Sequence, residues 1–140
     1  MASNVALNQV VDGSILSPFK VSGVVSGATM VSAYQSGTVI PFTQAGVYTI
    51  TLPNAAAGLN YKFILVAAGA ANQVTITPGS GNVYMSAAAT DATATATTGG
   101  TTSFTFAATA SQGDTLEVIC DGTNWYGKAL MSVHSKILTA

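Results

Sequence analysis

The sequence predicts an all-β fold: a two-sheet antiparallel β-sandwich of jelly-roll-like type with extended N- and C-terminal arms. Hydrophobic residues recur with a period of two, Gly and Pro turn signals separate the short apolar runs, and no segment carries the 3.6-residue apolar stripe of a helix. A chain of 140 residues can bury one sizeable core, so we expect a single domain.

The alternation is clearest where β-branched and aromatic residues fill one face. Tyr48, Ile50 and Leu52 share a face, and Leu116, Val118 and Cys120 share another. Residues 61–66 are apolar on both faces, which is typical of a central strand covered on both sides. The predicted strands are residues 21–25, 30–34, 37–42, 47–52, 61–66, 74–77, 83–86, 103–106, 115–120, 125–129 and 131–136.

Turn chemistry predicts one hairpin in particular. Asp121, Gly122, Thr123 and Asn124 lie between the apolar run that ends at Cys120 and the run that starts at Trp125. Glycine adopts positive φ without steric conflict, so these four residues suit a tight connection between paired strands.

The chain divides into an arm at residues 1–20, a sandwich at 21–129 and a tail at 130–140. Within the sandwich, residues 87–102 are a low-complexity Ala/Thr stretch, expected to form a long loop or an edge strand. The arm and the tail hold apolar residues without clear alternation, so we expect them either to contact a partner or to add edge strands. The candidate interface residues are Val5, Leu7, Val10, Val11, Ile15, Leu16, Phe19, Leu130, Met131, Val133, Ile137 and Leu138.

Charge is scarce, which excludes several functions. The chain has four Lys, no Arg and five acidic residues, and only 6% of its residues are charged. Nucleic acids and anionic membranes require clustered cations, so neither is an expected partner. A neutral surface favours a subunit of a larger assembly, because surface charge usually keeps a free monomer dispersed. The N-terminus has no secretory signal pattern, so we expect synthesis in a reducing cytosol.

No residue pattern predicts catalysis, and we expect a protein that is not an enzyme. The lone His134 has no identifiable orienting partner, and one His with one Cys cannot supply a zinc site. Cys120 follows two residues of the buried face, so it is predicted to be a core residue. We therefore expect no catalytic residue, no cofactor and no metal.

The adjacent aromatic residues Trp125 and Tyr126 are the candidates for ligand stacking. Neighbouring strand residues face opposite ways, so one ring is expected in the core and the other outside. Large aromatic side chains are usually buried, which favours Trp125 as the core residue. An exposed ring would be able to stack on a sugar or anchor an interface.

The order of strands and turns resembles tailed-bacteriophage virion proteins, and most closely the small jelly-roll capsid cement (decoration) proteins. The resemblance lies in GVYTITLP (46–53), YKFI (61–64), VTITP (74–78), GDTLEV (113–118) and DGTNWY (121–126). It implies a subunit on the outer surface of a phage head that bridges neighbouring major capsid protein subunits, as a homodimer in preference to a trimer. The alternative is a glycan- or receptor-binding module of a tail or fibre.

Overall fold

A computed structural model of the protein describes residues 20–89, 95–96, 100–132 and 137–139. These residues form a seven-stranded and a five-stranded sheet, so the all-β sandwich is confirmed. The strands are β1 (Lys20–Val21), β2 (Thr29–Met30), β3 (Thr38–Thr43), β4 (Tyr48–Leu52), β5 (Asn60–Ala67), β6 (Val74–Pro78), β7 (Val83–Ala89), β8 (Thr95–Ala96), β9 (Phe104–Phe106), β10 (Thr115–Cys120), β11 (Trp125–Met131) and β12 (Ile137–Thr139).

The chain passes between the two sheets at each step from β1 to β6. The seven-stranded sheet has the order β1-β3-β5-β10-β11-β7-β8, and the five-stranded sheet has the order β12-β9-β6-β4-β2. Each connection crosses to the opposite sheet and reverses the direction of the chain. The next connection crosses back and reverses the direction again. The chain therefore returns beside its earlier strand in the same direction. We call residues 20–78, which wind in this way, the coil.

Half of the described strand pairs are parallel, four of them within the coil, so the expected antiparallel pairing holds only for the other half. The β1–β3, β3–β5, β2–β4, β4–β6 and β7–β11 pairs are parallel. Antiparallel pairs form where β9 and β10 return beside β6 and β5, in the β10–β11 hairpin, and at β8 and β12. A jelly roll, whose neighbouring strands are antiparallel, therefore describes only part of this molecule.

The core lies between the sheets and follows the predicted period of two. In β11, the inward residues Trp125, Gly127, Ala129 and Met131 are buried, and the residues between them are exposed. Phe42 of the larger sheet and Phe106 of the smaller sheet meet edge to face, with ring centroids 4.7 Å apart. Such aromatic pairs stabilise a core beyond the area that they bury.

The predicted hairpin and the predicted core cysteine are both confirmed. Cys120 pairs with Trp125 at the closed end of β10 and β11, and its side chain is buried. Gly122 has a φ of +107°, which a side chain would disfavour. Asp121 Oδ1 accepts hydrogen bonds of 2.8 Å from the backbone amides of Thr123 and Asn124, and these two bonds fix the turn.

Two buried polar side chains join loops to the sandwich. The Asp114 carboxylate accepts hydrogen bonds of 2.8 Å from the backbone amides of Ser111 and Ser132. Gln44 Nε2 donates to the backbone carbonyl oxygens of Asn72, at 3.1 Å, and Ala107, at 2.9 Å. These bonds satisfy polar groups whose burial would otherwise destabilise the fold.

Several segments differ from the sequence prediction. The predicted strand at residues 30–34 ends at Met30, and Ala33–Gln35 form a 3-10 turn. The predicted strand at residues 21–25 is reduced to β1 and a single bridge at Val25. Within the low-complexity stretch, β8 is an edge strand beside β7. Among the described strands, β1 and β2 each pair with a neighbour on one side only, and a strand paired on one side has fewer ladder hydrogen bonds to extend it.

The predicted arm and tail are described only in part. Residues 1–19, which include seven of the candidate interface residues, lie outside the described residues, as does Val133. Leu130 and Met131 belong to β11 and not to a separate tail, because the alternation of β11 continues through them. Ile137–Thr139 pair with β9 at the edge of the smaller sheet, as the edge-strand alternative predicts for the tail.

Candidate functional site

Three charged residues form a row across the outer face of the seven-stranded sheet. Register places Glu117 of β10 between Lys62 of β5 and Lys128 of β11. Lys62 Nζ lies 3.2 Å from Glu117 Oε1. Both side chains are well exposed, so this ion pair contributes little to folding stability. These three side chains instead provide hydrogen-bonding groups that face outward and are available to a ligand.

Beside this row, Tyr126 is held in place by two separate contacts. Its ring stacks on Tyr84 of the neighbouring strand, with ring centroids 5.5 Å apart and 17° between the planes. Its hydroxyl donates a hydrogen bond of 3.0 Å to Asp121 Oδ2. This hydrogen bond raises the pKa of Tyr126, and hydrogen bonds from two turn amides lower the pKa of Asp121. An exposed aromatic ring is thereby fixed in one orientation.

A concavity of about 610 Å³ opens on this face. It crosses four neighbouring strands, from Val39 on β3 to Tyr126 on β11, and its floor includes Lys62, Glu117 and Ile119. Tyr126 lines the concavity and Tyr84 does not, and the cross-strand neighbour of Tyr126 on β10 is Ile119. The side of the Tyr126 ring away from Tyr84 therefore faces Ile119 and the concavity.

Of the two predicted stacking residues, Tyr126 has the required exposure and Trp125 does not. Trp125 is 0% exposed, stacks on Tyr61 inside the core and donates its indole N–H to the Ser80 carbonyl oxygen at 3.1 Å. Tyr126 is 43% exposed. The prediction that one ring faces inward and the other outward is confirmed. The partner ring, Tyr84, was not predicted from the sequence.

The outer face of the five-stranded sheet has a different chemistry. None of its described strands contains a charged residue. Threonines of neighbouring strands lie side by side, and the hydroxyl oxygens of Thr75 and Thr105 are 3.5 Å apart. Two strongly exposed hydrophobic residues border them, Met30 at 79% and Val47 at 73%. We call this surface the neutral face: Met30, Val47, Thr49, Thr51, Thr75, Thr77 and Thr105.

The first turn of the coil carries further exposed apolar residues. Val21 and Val24 are exposed, and Tyr34, in the 3-10 turn after β2, is 95% exposed. Edge strands that remain unpaired and carry apolar side chains are prone to bind another surface. Among the candidate interface residues of the tail, Leu130 is exposed on the opposite, charged side of the sandwich, and Met131 is buried.

The described part of the chain offers little for catalysis. No cluster of three or more His, Cys, Asp or Glu side chains that is able to hold a metal ion occurs there. Asp114 and Glu117 do not form a carboxylate pair, because Asp114 is buried and Glu117 faces outward. His134 lies outside the described residues. Within the same ranges, no helix is long and apolar enough to span a bilayer.

No family model, curated protein or solved structure matches this chain. Its surfaces must therefore be interpreted from their own chemistry. The alternation in residues 115–120 marks Glu117 as an outward residue of its strand. Residues 61–66 were expected to be covered on both faces, but Lys62 lies on the open outer face beside Glu117. The sequence did not indicate that Lys62, Glu117 and Lys128 form one row, because that depends on which strands pair and in which register.

Proposed function

We propose that this protein is a structural virion protein, a capsid cement protein that binds the outside of a phage head. It bridges neighbouring major capsid protein subunits by non-covalent, mostly apolar contacts. The observation that carries the proposal is the neutral face, with Met30 and Val47 strongly exposed beside a sheet surface without charge. The resemblance of the strand and turn sequence to cement proteins supports the same assignment.

The distribution of charge supports contact through this side of the sandwich. Lys62, Glu117 and Lys128 all lie on the opposite outer face. The neutral face therefore presents no charge that must be desolvated when it meets a protein surface, and only its threonine hydroxyls need hydrogen-bond partners there. Burial of a Met or Val side chain contributes about 1.5–3 kcal/mol before the entropic cost of association is subtracted, so attachment depends on several such contacts per subunit.

Attachment of this kind is only weakly sensitive to salt, because little of it depends on exposed charges. Particles from the source of this protein should be fractionated on a density gradient and the fractions probed for the chain. The proposal requires it to sediment with the major capsid protein and to remain there after a wash at about 1 M salt. Recovery only in the soluble fractions, or release by salt alone, would refute the proposal.

A matched pair of variants tests the face directly. Particles stripped of the protein should rebind the wild type and Ile119→Asp, but not Met30→Asp combined with Val47→Asp. Ile119 is a suitable control because it is equally apolar and 54% exposed, but lies on the charged outer face. Equal rebinding by all three proteins would show that the neutral face is not the contact. Light scattering of the purified protein tests the accompanying proposal that the subunit is a homodimer.

A further inference from the structure

We propose that the concavity on the outer face of the seven-stranded sheet is a saccharide-binding site. In this site a sugar ring packs on the exposed part of Tyr126 and on its neighbour Ile119. The hydroxyls of the sugar form hydrogen bonds with Lys62, Glu117 and Lys128. The site lies on the side of the sandwich opposite the neutral face, so it is independent of attachment to a capsid.

The aromatic wall is the first argument. Sugar rings have an apolar C–H face that packs well against an aromatic ring. Tyr84 covers one face of the Tyr126 ring, and the other side of the ring faces Ile119 and the concavity. The stack on Tyr84 and the hydrogen bond to Asp121 hold the ring in its orientation before any ligand arrives. A ligand that packs on it therefore does not have to restrict this side chain, which favours binding.

The polar floor is the second argument. Glu117 accepts hydrogen bonds and the two lysines donate them, which matches sugar hydroxyls, since these are both donors and acceptors. The Lys62–Glu117 ion pair balances its own charge. Lys128 is the remaining cation of the row, and a single cation is too little for a nucleic acid. Ile119, 54% exposed, adds an apolar patch next to the charged row, opposite Tyr126.

The position within the sheet is the third argument. β5, β10 and β11 are interior strands whose backbone groups already bond to neighbours on both sides. A peptide therefore cannot bind here by β-strand addition, the usual mode by which a β-sheet binds an extended peptide. The ligand must be recognised by side chains alone. Four strands span roughly 14 Å, or three interstrand spacings, which suits two to three sugar units.

The wild-type protein should be screened on a glycan array, and its best binder titrated into ¹⁵N-labelled protein. We expect the amide shifts to concentrate in β5, β10 and β11. Tyr126→Ala should weaken binding by about tenfold or more, equivalent to 1.4 kcal/mol or more, because the stacking surface is lost. Tyr34→Ala is the matched control: it removes a tyrosine that is even more exposed and lies outside the concavity, so its affinity should equal that of the wild type.

Two further variants keep the test decisive if Tyr126→Ala disturbs the fold. Tyr126→Phe keeps the ring and should retain most of the affinity. Glu117→Gln keeps the shape of the side chain but replaces the carboxylate with a weaker hydrogen-bond acceptor. It should therefore lower the affinity for the glycan. The proposal fails if no glycan on the array binds the wild type better than Tyr126→Ala. It also fails if amide shifts map to the neutral face. Neither result bears on sedimentation with particles, so the two proposals succeed or fail separately.

Discussion

Gly127 lies in the middle of β11 and faces the core, at a point where a side chain has no room. A β-carbon there would stand 2.5 Å from Phe104 Cε1 and 3.1 Å from Leu116 Cδ1. Phe104 belongs to the opposite sheet, and both neighbours are fully buried. Because the interior is close-packed, neither side chain can move aside without disturbing its own neighbours. The Phe104 ring therefore occupies the space that a residue other than glycine would need.

We expect Gly127→Ala to lower the free energy of unfolding by about 1–3 kcal/mol, the usual effect of an extra methylene in a packed core. Alanine also restricts the unfolded chain, which by itself stabilises a protein by about 0.4–1 kcal/mol. The steric conflict is larger, so the net effect is destabilising. For a domain of this size, each 1 kcal/mol lowers Tm by roughly 3–5 °C.

Urea unfolding followed by the fluorescence of Trp125 measures this change, because the single tryptophan passes from the core into water. Gly46→Ala is the control, since a β-carbon at Gly46 meets no atom within 4 Å. In the background of Phe104→Leu, where space has been opened, Gly127→Ala should be less harmful. If Gly127→Ala is as stable as Gly46→Ala, or equally harmful in both backgrounds, the steric reasoning is wrong.

Three other predictions concern polar groups. Asp114→Asn should lower the free energy of unfolding by about 1–3 kcal/mol in urea unfolding. The amide puts an N–H donor where a carboxylate oxygen accepted a hydrogen bond, so two donors face each other. An unchanged urea midpoint would contradict this. Gln44→Leu should lower the free energy of unfolding by about 1 kcal/mol or more, since two backbone carbonyls lose their donor. Gln44→Glu also lacks the amide N–H, so it should not restore the lost stability. Hydrogen bonds hold the pKa of Asp121 below its ordinary value. The stability that this carboxylate contributes is therefore fully present when the pH is above the ordinary pKa of the unfolded chain, and it is lost as the pH falls through the lower pKa of the folded protein. Between about pH 5 and 2 the wild type should therefore lose more stability than Asp121→Asn, and parallel acid-unfolding curves would refute this.

Local chemistry was sufficient to predict the parts of the fold that depend on neighbouring residues. The alternation in residues 115–120 placed Cys120 in the core, and the Asp121–Gly122 turn placed β10 beside β11. The prediction was wrong at residues 31–34, where the chain leaves β2 for a 3-10 turn. An alternating pattern at the open end of the coil does not make a strand, because a strand also needs a neighbour to pair with.

The candidate site shows the same division. The sequence identified Tyr126 as an outward aromatic ring, because it alternates with a residue that needs burial. It did not identify Tyr84, which is 42 positions away in the chain and meets Tyr126 through a parallel strand pair. It also gave no reason to join Lys62 to Glu117, since these residues are neighbours only after β5 has paired with β10.

The sequence by itself determined that this protein is made of β-strands, which side of most strands faces the core, and that almost no charge is available. These properties follow from a period of two and from composition, and both are local. Only the tertiary structure decided that the chain winds between two sheets, that half of the described strand pairs are parallel, and that Lys62, Glu117 and Lys128 lie on the outer face opposite the neutral face. Pairing is decided by which strands together bury their apolar sides, and that choice is made among residues far apart in the chain.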